Sequence, residues 1–323
     1  MSRPVDPLDL RLISKVSSLY YHRDLNQQEI ASRLQLSRPK VSRLLKRARE
    51  LGIVQISVTL PENHFIDKEI RIEKKFRLKE VVIVEGEAAE DEHSVQALKR
   101  QLGVASATYL QRTLTGDETI GVTWGTTLQS MVESLNPTPA EDVHIVQTLG
   151  GVGPPEAKAH ATDISRRLSG LFNCQLTLLP APGIVDSKEA RDILLADRRV
   201  KHTLGLFQNL TTAFVGIGAL ETNPVLAKGS HEISGELIQD ILNSGAVGDI
   251  GLNFFGPDGQ EIPTRFREQM IGITLKELKL TETVVGVAGG REKYRAILGA
   301  LNGGHIDVLI TDHHTADKLI EEP

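Results

Sequence analysis

The chain has 323 residues, 40% hydrophobic and 24% charged, with one cysteine and a formal net charge of −5. That length suits a small domain plus a large one rather than a single core; no apolar run approaches the ~20 residues that span a bilayer, and the lone Cys174 excludes a disulfide within the chain. Residues 1–60 hold eleven Lys or Arg against five Asp or Glu, so a head of +6 precedes a body of −11, as expected for a nucleic-acid-binding module joined to a domain that phosphates repel.

The opening MSRPVDPLDL has neither the basic start nor the apolar stretch of a secretion signal, so a cytoplasmic location is expected. LDLRLISKVSSLYYH places apolar residues three and four apart, which predicts a first helix with one buried stripe. Asn26 followed by Glu29 is a capping-box start for a second helix to about Leu34, with the small Ala31 suited to a close helix crossing. Gln35 and Leu36 make a turn with Leu36 as its apolar plug, and Ser37 caps a third helix in which Pro39 is tolerated in the first turn. Val41, Leu44, Leu45, Ala48 and Leu51 form its buried stripe, and Gly52 supplies the stop.

Short helix, plugged turn and Ser-capped second helix together make a helix-turn-helix over residues 26–50, which presents its third-helix N-terminus to the DNA major groove. A basic outer face alone is ordinarily just solvated; here it falls on the helix that this geometry projects. Ser37, Arg38, Lys40, Ser42 and Arg43 are the candidates for base edges or adjacent phosphates, with Gln27, Arg47 and Arg49 orienting the domain through phosphates. IVQISVTL alternates with β-branched residues and predicts a wing. The expected domains are 1–60 for DNA binding, a linker helix within 61–79, and 80–323.

From Glu80 onward strands and helices alternate: VVIV, a helix from Ser94 to Leu114, ETIGVTW, TTLQSMVESL, VHIVQTLG, DISRRLSGLF, QLTLLPAP, ARDILLADRRVKHTL as one helix, TAFVGIG and HEISGELIQDIL. A hairpin-like insert, GLNFFGPDGQEI, precedes TVVGVAGG, REKYRAILGAL, DVLITD and a helix from about Thr315. Such alternation predicts an α/β fold, a Rossmann-like, mostly parallel sheet covered on both faces. Ligands then sit at strand carboxyl ends, where helix N-termini offer free amides. Trp124-Gly125-Thr126-Thr127, Leu149-Gly150-Gly151-Val152-Gly153, Val215-Gly216-Ile217-Gly218 and Ala288-Gly289-Gly290 mark four such ends. None matches a nucleotide-binding glycine pattern. A small anion is favoured, with Asp249 available to sugar hydroxyls and Lys293 to a phosphate. Adjacent His313 and His314 have no accompanying ligands, and no metal or cofactor is expected.

QQEIASRLQLSRPKVSRLLKRARELGIVQISV, GVTWGTTL, QTLGGVG, LPAPGIV, FVGIGAL, GAVGDIGLNFF and VVGVAGGREKYRAILGALNGGHIDVLITD together resemble the SorC/DeoR-type sugar-binding transcriptional regulators over nearly the whole length. The resemblance implies a large domain similar to glucosamine-6-phosphate deaminase and ribose-5-phosphate isomerase, binding a phosphorylated sugar that alters operator binding. It implies that Gly125, Thr126 and Thr127 grip the phosphate and that Asp249 and Lys293 face the effector; Gly150, Gly151 and Phe254 are further candidates for the effector site. QTLGGVG lacks the arginine that some members use for a second phosphate, which argues against a bisphosphate. Expected partners are double-stranded operator DNA, the phosphorylated sugar and further copies of the chain as a homo-oligomer, dimer or tetramer, since one helix-turn-helix needs paired half-sites; no membrane is involved. The alternative is a sugar-phosphate isomerase or deaminase fused to a DNA-binding head, for which Asp249 is the one candidate base and lacks a recognisable partner. A regulator, most simply a repressor, is the favoured reading.

Overall fold

The computed structural model describes residues 7–55, 65–86, 91–152, 160–226 and 233–322. The chain divides into two compact units, Met1–His64 and Phe65–Pro323.

In the first unit α1 (Pro7–Tyr21), α2 (Gln27–Leu34) and α3 (Arg38–Glu50) enclose Val16, Ile30, Ala31, Val41 and Leu45. Asn26 Oδ1 accepts from the amides of Gln28 (2.9 Å) and Glu29 (3.0 Å), and the Glu29 carboxylate accepts from the Asn26 amide at 2.7 Å. The turn runs through Gln35, which takes a left-handed φ of 50°, while the Leu36 amide closes onto Ala31 O at 2.9 Å and its side chain packs on the core. Ser37 Oγ accepts from the Lys40 amide at 3.4 Å, starting α3. After α3, Gly52 is left-handed and the Ile53 amide returns to Ala48 O. Ile53 to Gln55 are not strand, and residues 56–60 of the expected wing lie outside the described residues. Asn26→Ala removes the side-chain half of the capping box and leaves the backbone bond from residue 26 to Glu29, so it should destabilise this unit by about 1 kcal/mol; a urea titration of the full chain followed by helical circular dichroism would show an unshifted curve if the Asn26 cap contributes nothing.

The second unit contains α4 (Ile66–Phe76), β1 (Glu80–Val84), α5 (Glu92–Thr113), β2 (Thr119–Val122), α6 (Thr126–Glu133), β3 (His144–Gln147), α7 (Ala161–Phe172) and β4 (Gln175–Thr177). There follow α8 (Lys188–Ala196), α9 (Arg198–Leu206), β5 (Thr212–Gly216), β6 (Gly218–Ala219), α10 (Gly235–Asn243), β7 (Gly248–Ile250) and β8 (Asn253–Phe255). The last are α11 (Leu275–Leu278), β9 (Thr283–Val287), α12 (Tyr294–Asn302), β10 (Val308–Asp312) and α13 (His313–Glu321). Seven strands form one parallel sheet in the order β1-β10-β9-β5-β2-β3-β4.

Both faces of the sheet are buried, which is why its strands read as β-branched runs. Ala213 and Val215, with Val284 and Leu309, face a core containing Val200 of α9, Ile297 of α12 and Leu319 of α13. Phe214, Val285 and Ile310 face the opposite core, with Leu102 of α5, Leu128 of α6 and Leu168 of α7. The bridging helix expected within residues 61–79 is α4, and it covers the open edge of the sheet: Glu73 and Glu69 accept the outward amides of Val81 and Ile83, each at 2.9 Å. The single helix expected over residues 190–204 is two, because Asp197 turns extended and accepts from the amides of Arg199 and Val200. The expected insert is antiparallel, β6-β7-β8. β7 and β8 are joined through left-handed Gly251 and Leu252, and the Pro-Asp-Gly turn follows with Gly256 N bonded to Gln260 O at 2.9 Å.

Candidate functional site

On α3 of the small unit Ser37, Arg38, Lys40, Ser42, Arg43 and Arg47 are all exposed, whereas Gln27 at the start of α2 is half-buried. The first turn of α3 carries no acidic residue, so Arg38 and Lys40 stack positive charge on the positive end of the helix dipole, a disfavoured placement by about 0.3–1 kcal/mol each that an approaching phosphate relieves. Arg43 Nε reaches only its own helix, at Pro39 O, 3.4 Å away, and Lys46 pairs with Glu50 at 3.9 Å. The basic helix start is thus presented without carboxylate partners among the described residues.

In the large unit the strand order reverses direction between β2 and β5: β2, β3 and β4 run to one edge, β5, β9 and β10 toward the other. Crevices at such a reversal, outside the strand carboxyl ends, are where open α/β sheets bind ligands. Gly125, between β2 and α6, has φ 122° and ψ 158°, and Gly290, just after β9, has φ 99° and ψ 150°. Only glycine occupies that region without a cost of about 1–3 kcal/mol. The two loops therefore repeat one device, a strand end turned abruptly into a helix start. In the first, Gly125 has no side-chain cap, and the amides of Thr126, Thr127 and Leu128 have no hydrogen-bond partner among the described residues. Thr126 is exposed and Thr127 buried.

The crevice is closed in by Asp249 and its neighbours. A Cβ on Gly218, beyond the end of β5, would lie 2.2 Å from Asp249 Oδ1, and one on Gly251 would lie 3.6 Å from Thr123 Cγ2 at the end of β2. Asp249 is 4% exposed and accepts from Asn223 Nδ2 and from the Leu252 amide, both at 2.9 Å. Burial raises its pKa, opposed by these bonds and by Lys293. Lys293 is partly buried and its pKa is pushed down to about 8 by desolvation and by nearby Lys99, with Asp249 and Glu292 acting the other way. Thr123, at the same end of β2, buries a hydroxyl with no partner among the described residues.

The other expected site residues are placed differently. Gly150 donates its amide to Ile271 O and Gly151 donates to Ala181 O, both at 3.0 Å. A Cβ on Gly150 would sit 2.6 Å from the Pro182–Gly183 backbone, so these glycines serve close chain packing and offer no free amide. Gly153 lies outside the described residues. Phe254, expected to contact the effector, is 2% exposed, with its ring edge-on to Phe266 at 5.8 Å. Asn223 and Lys99 escaped sequence reading, since one sits in an ordinary turn and the other on a helix, with only folding to bring them to Asp249 and Lys293. Two surface clefts of about 520 and 420 Å³ lie elsewhere; in the first Arg265 is paired with Asp240, leaving Glu236, and the second is lined by Asp117, Glu118 and Glu282, a net negative charge in both that disfavours an anion.

Comparison with known proteins follows the same division. The model of the sugar-binding domain family (Sugar-bind) matches residues 61–321, and that of sigma-70 region 4 matches residues 15–50. The sorbitol operon regulator of Klebsiella pneumoniae is 32% identical over 97% of this chain and 98% of its own, and the deoxyribonucleoside regulator of Bacillus subtilis is 30% identical over the same shares. The crystal structure of the full-length Klebsiella regulator SorC superposes with a TM-score of 0.72 at 29% identity, covering 97% of this chain and 99% of that one. No helix among the described residues is long and apolar enough to cross a membrane. With a helix-turn-helix for DNA, a sugar-binding effector domain and relatives that are regulators rather than enzymes, the chain belongs to the SorC/DeoR-type family of sugar-binding transcriptional regulators.

Proposed function

We propose that the chain is a cytoplasmic repressor, working as a homo-oligomer on paired operator half-sites, and that a sugar monophosphate bound at the β2–β5 reversal controls its grip on DNA. The observation that carries this reading is the set of three amides at Thr126 to Leu128 behind Gly125 that have no partner among the described residues, an anion cradle in the crevice where such sheets take ligands. Lys293 supplies the opposing positive charge, and Asp249, held by Asn223 and Leu252, supplies acceptor oxygen for sugar hydroxyls. The relatives' names speak of a polyol operon and of deoxyribonucleosides, so a sugar-derived effector is the class to search.

A thermal-shift screen of sugar monophosphates tests this, because a ligand that binds only the folded state raises its stability by mass action. The pH dependence makes the test specific. A phosphate dianion binds the ammonium form of Lys293, so affinity should fall by up to about tenfold per pH unit as pH rises through about 8, and Lys293→Met should flatten that profile. Without ligand the sign reverses. The unfolded chain holds the Lys293 proton up to its ordinary value of 10.5, so folding stability contributed by this group rises between about 8 and 10.5. A pH-independent affinity between 7 and 9.5, on the order of that window, contradicts the assignment of Lys293.

A further inference from the structure

Helix α13 is gripped at both ends by the segment that carries Lys293. At its start, Asp312 Oδ2 accepts from the Gly290 amide at 2.7 Å and from Thr315 Oγ1 at 2.6 Å. At its end, the hydroxyl of Tyr294, the residue after Lys293, donates to the Glu322 carboxylate and lies 3.5 Å from Lys318 O. Burial and the Glu322 charge hold the Tyr294 phenol well above its usual range, so it remains a donor. The same helix is fastened to α4 on another side. Lys75 Nζ donates to Leu319 O at 3.0 Å and to Glu322 O, an ammonium on the carbonyl end of a helix dipole. Lys68 pairs with Asp317 at 2.6 Å, and the Phe65 ring stacks on His313 at 5.5 Å with an interplanar angle of 5°.

Along the chain, α4 is the helix that precedes β1 and follows the helix-turn-helix unit. Its glutamates are committed to the sheet edge, which the effector loops do not touch. Lys68 and Lys75 are committed to α13, which they do. We propose that α13 relays effector occupancy to α4: Gly290 and Tyr294 are the points where the site holds α13, and Phe65, Lys68 and Lys75 are the points where α4 answers. Tyr294 is a positioning residue in this scheme. An anion drawn onto Lys293 orders the first turn of α12, Tyr294 with it, and hence the Glu322 end to which Lys75 is bound.

The relay rests on the effector reading above, so the experiment separates the two. Hydrogen–deuterium exchange of the full chain is measured with ribose 5-phosphate, glucose 6-phosphate and, as minimal probe, inorganic phosphate. Slowed exchange is expected at residues 125–128 and 290–294, together with slowing on the order of threefold in α13 and α4. Tyr294→Phe should keep the protection of the loops while losing most of the α4 response, and Lys75→Met should do the same with α13 still responding. A purely structural tyrosine would instead loosen α4 equally with and without ligand. Protected loops with a silent α13 and α4, or a full α4 response in Tyr294→Phe, overturn the relay alone. No protection at the loops from any probe overturns the effector reading and the relay together.

Discussion

Arg43→Ala is expected to lower operator affinity about 5- to 150-fold, the cost of one base or phosphate contact of 1–3 kcal/mol, and to leave sugar-phosphate affinity unchanged. Arg43 is exposed on α3 and its one hydrogen bond is to Pro39 O of the same helix, so truncation removes no packing. Its place in the second turn, six residues beyond Ser37, puts it where a recognition helix meets the groove. The substitution also distinguishes two roles. If Arg43 reads a guanine, discrimination at one operator position should collapse; if it neutralises a phosphate, binding should weaken on all sequences and the salt dependence should drop by about one counterion. Fluorescence anisotropy across a salt series reads both. Full operator affinity in the variant would remove α3 from the interface.

The second large effect is at Asp249. Asp249→Ala strands the Asn223 amide and the Leu252 N–H in a buried place, at about 1–3 kcal/mol for each lost partner, so the large unit should lose about 2–6 kcal/mol. Asp249→Asn is the milder probe. It keeps the shape and one carbonyl oxygen but withdraws the negative charge that holds the Lys293 pKa up. The pH midpoint of effector binding should therefore move below about 8 in Asp249→Asn, with reduced affinity at neutral pH. An unmoved midpoint would mean that the two residues do not share one site.

The caps and the parallel sheet were legible for a physical reason. Asn26, Glu29 and Ser37 use side-chain chemistry specific to helix starts, and a sheet buried on both faces leaves unbroken β-branched runs such as TVVGV. What sequence could not separate is why a glycine is present. Gly125 and Gly150 read alike, each ending a strand. Gly125 is required by its backbone angles and has nothing near its missing Cβ, while Gly150 is required because another chain segment lies 2.6 Å away. The space at the first is open and the second is packed shut. Phe254 was equally hard to place, since all three residues of β8 are buried and its ring is taken up by packing on Phe266. The break at Asp197 was hidden because the pattern of apolar residues runs on through both helices.

The central claim, that sugar-phosphate occupancy of the Gly125 loop governs the DNA grip of the Ser37 helix, is tested most directly by one titration. Affinity of the full chain for DNA flanking its own gene is measured with and without a saturating sugar monophosphate identified in the thermal-shift screen. The account predicts specific binding that weakens about 5- to 150-fold when the ligand is present, a coupling of 1–3 kcal/mol. Equal affinity with and without that ligand, or no preference over random DNA, would contradict it.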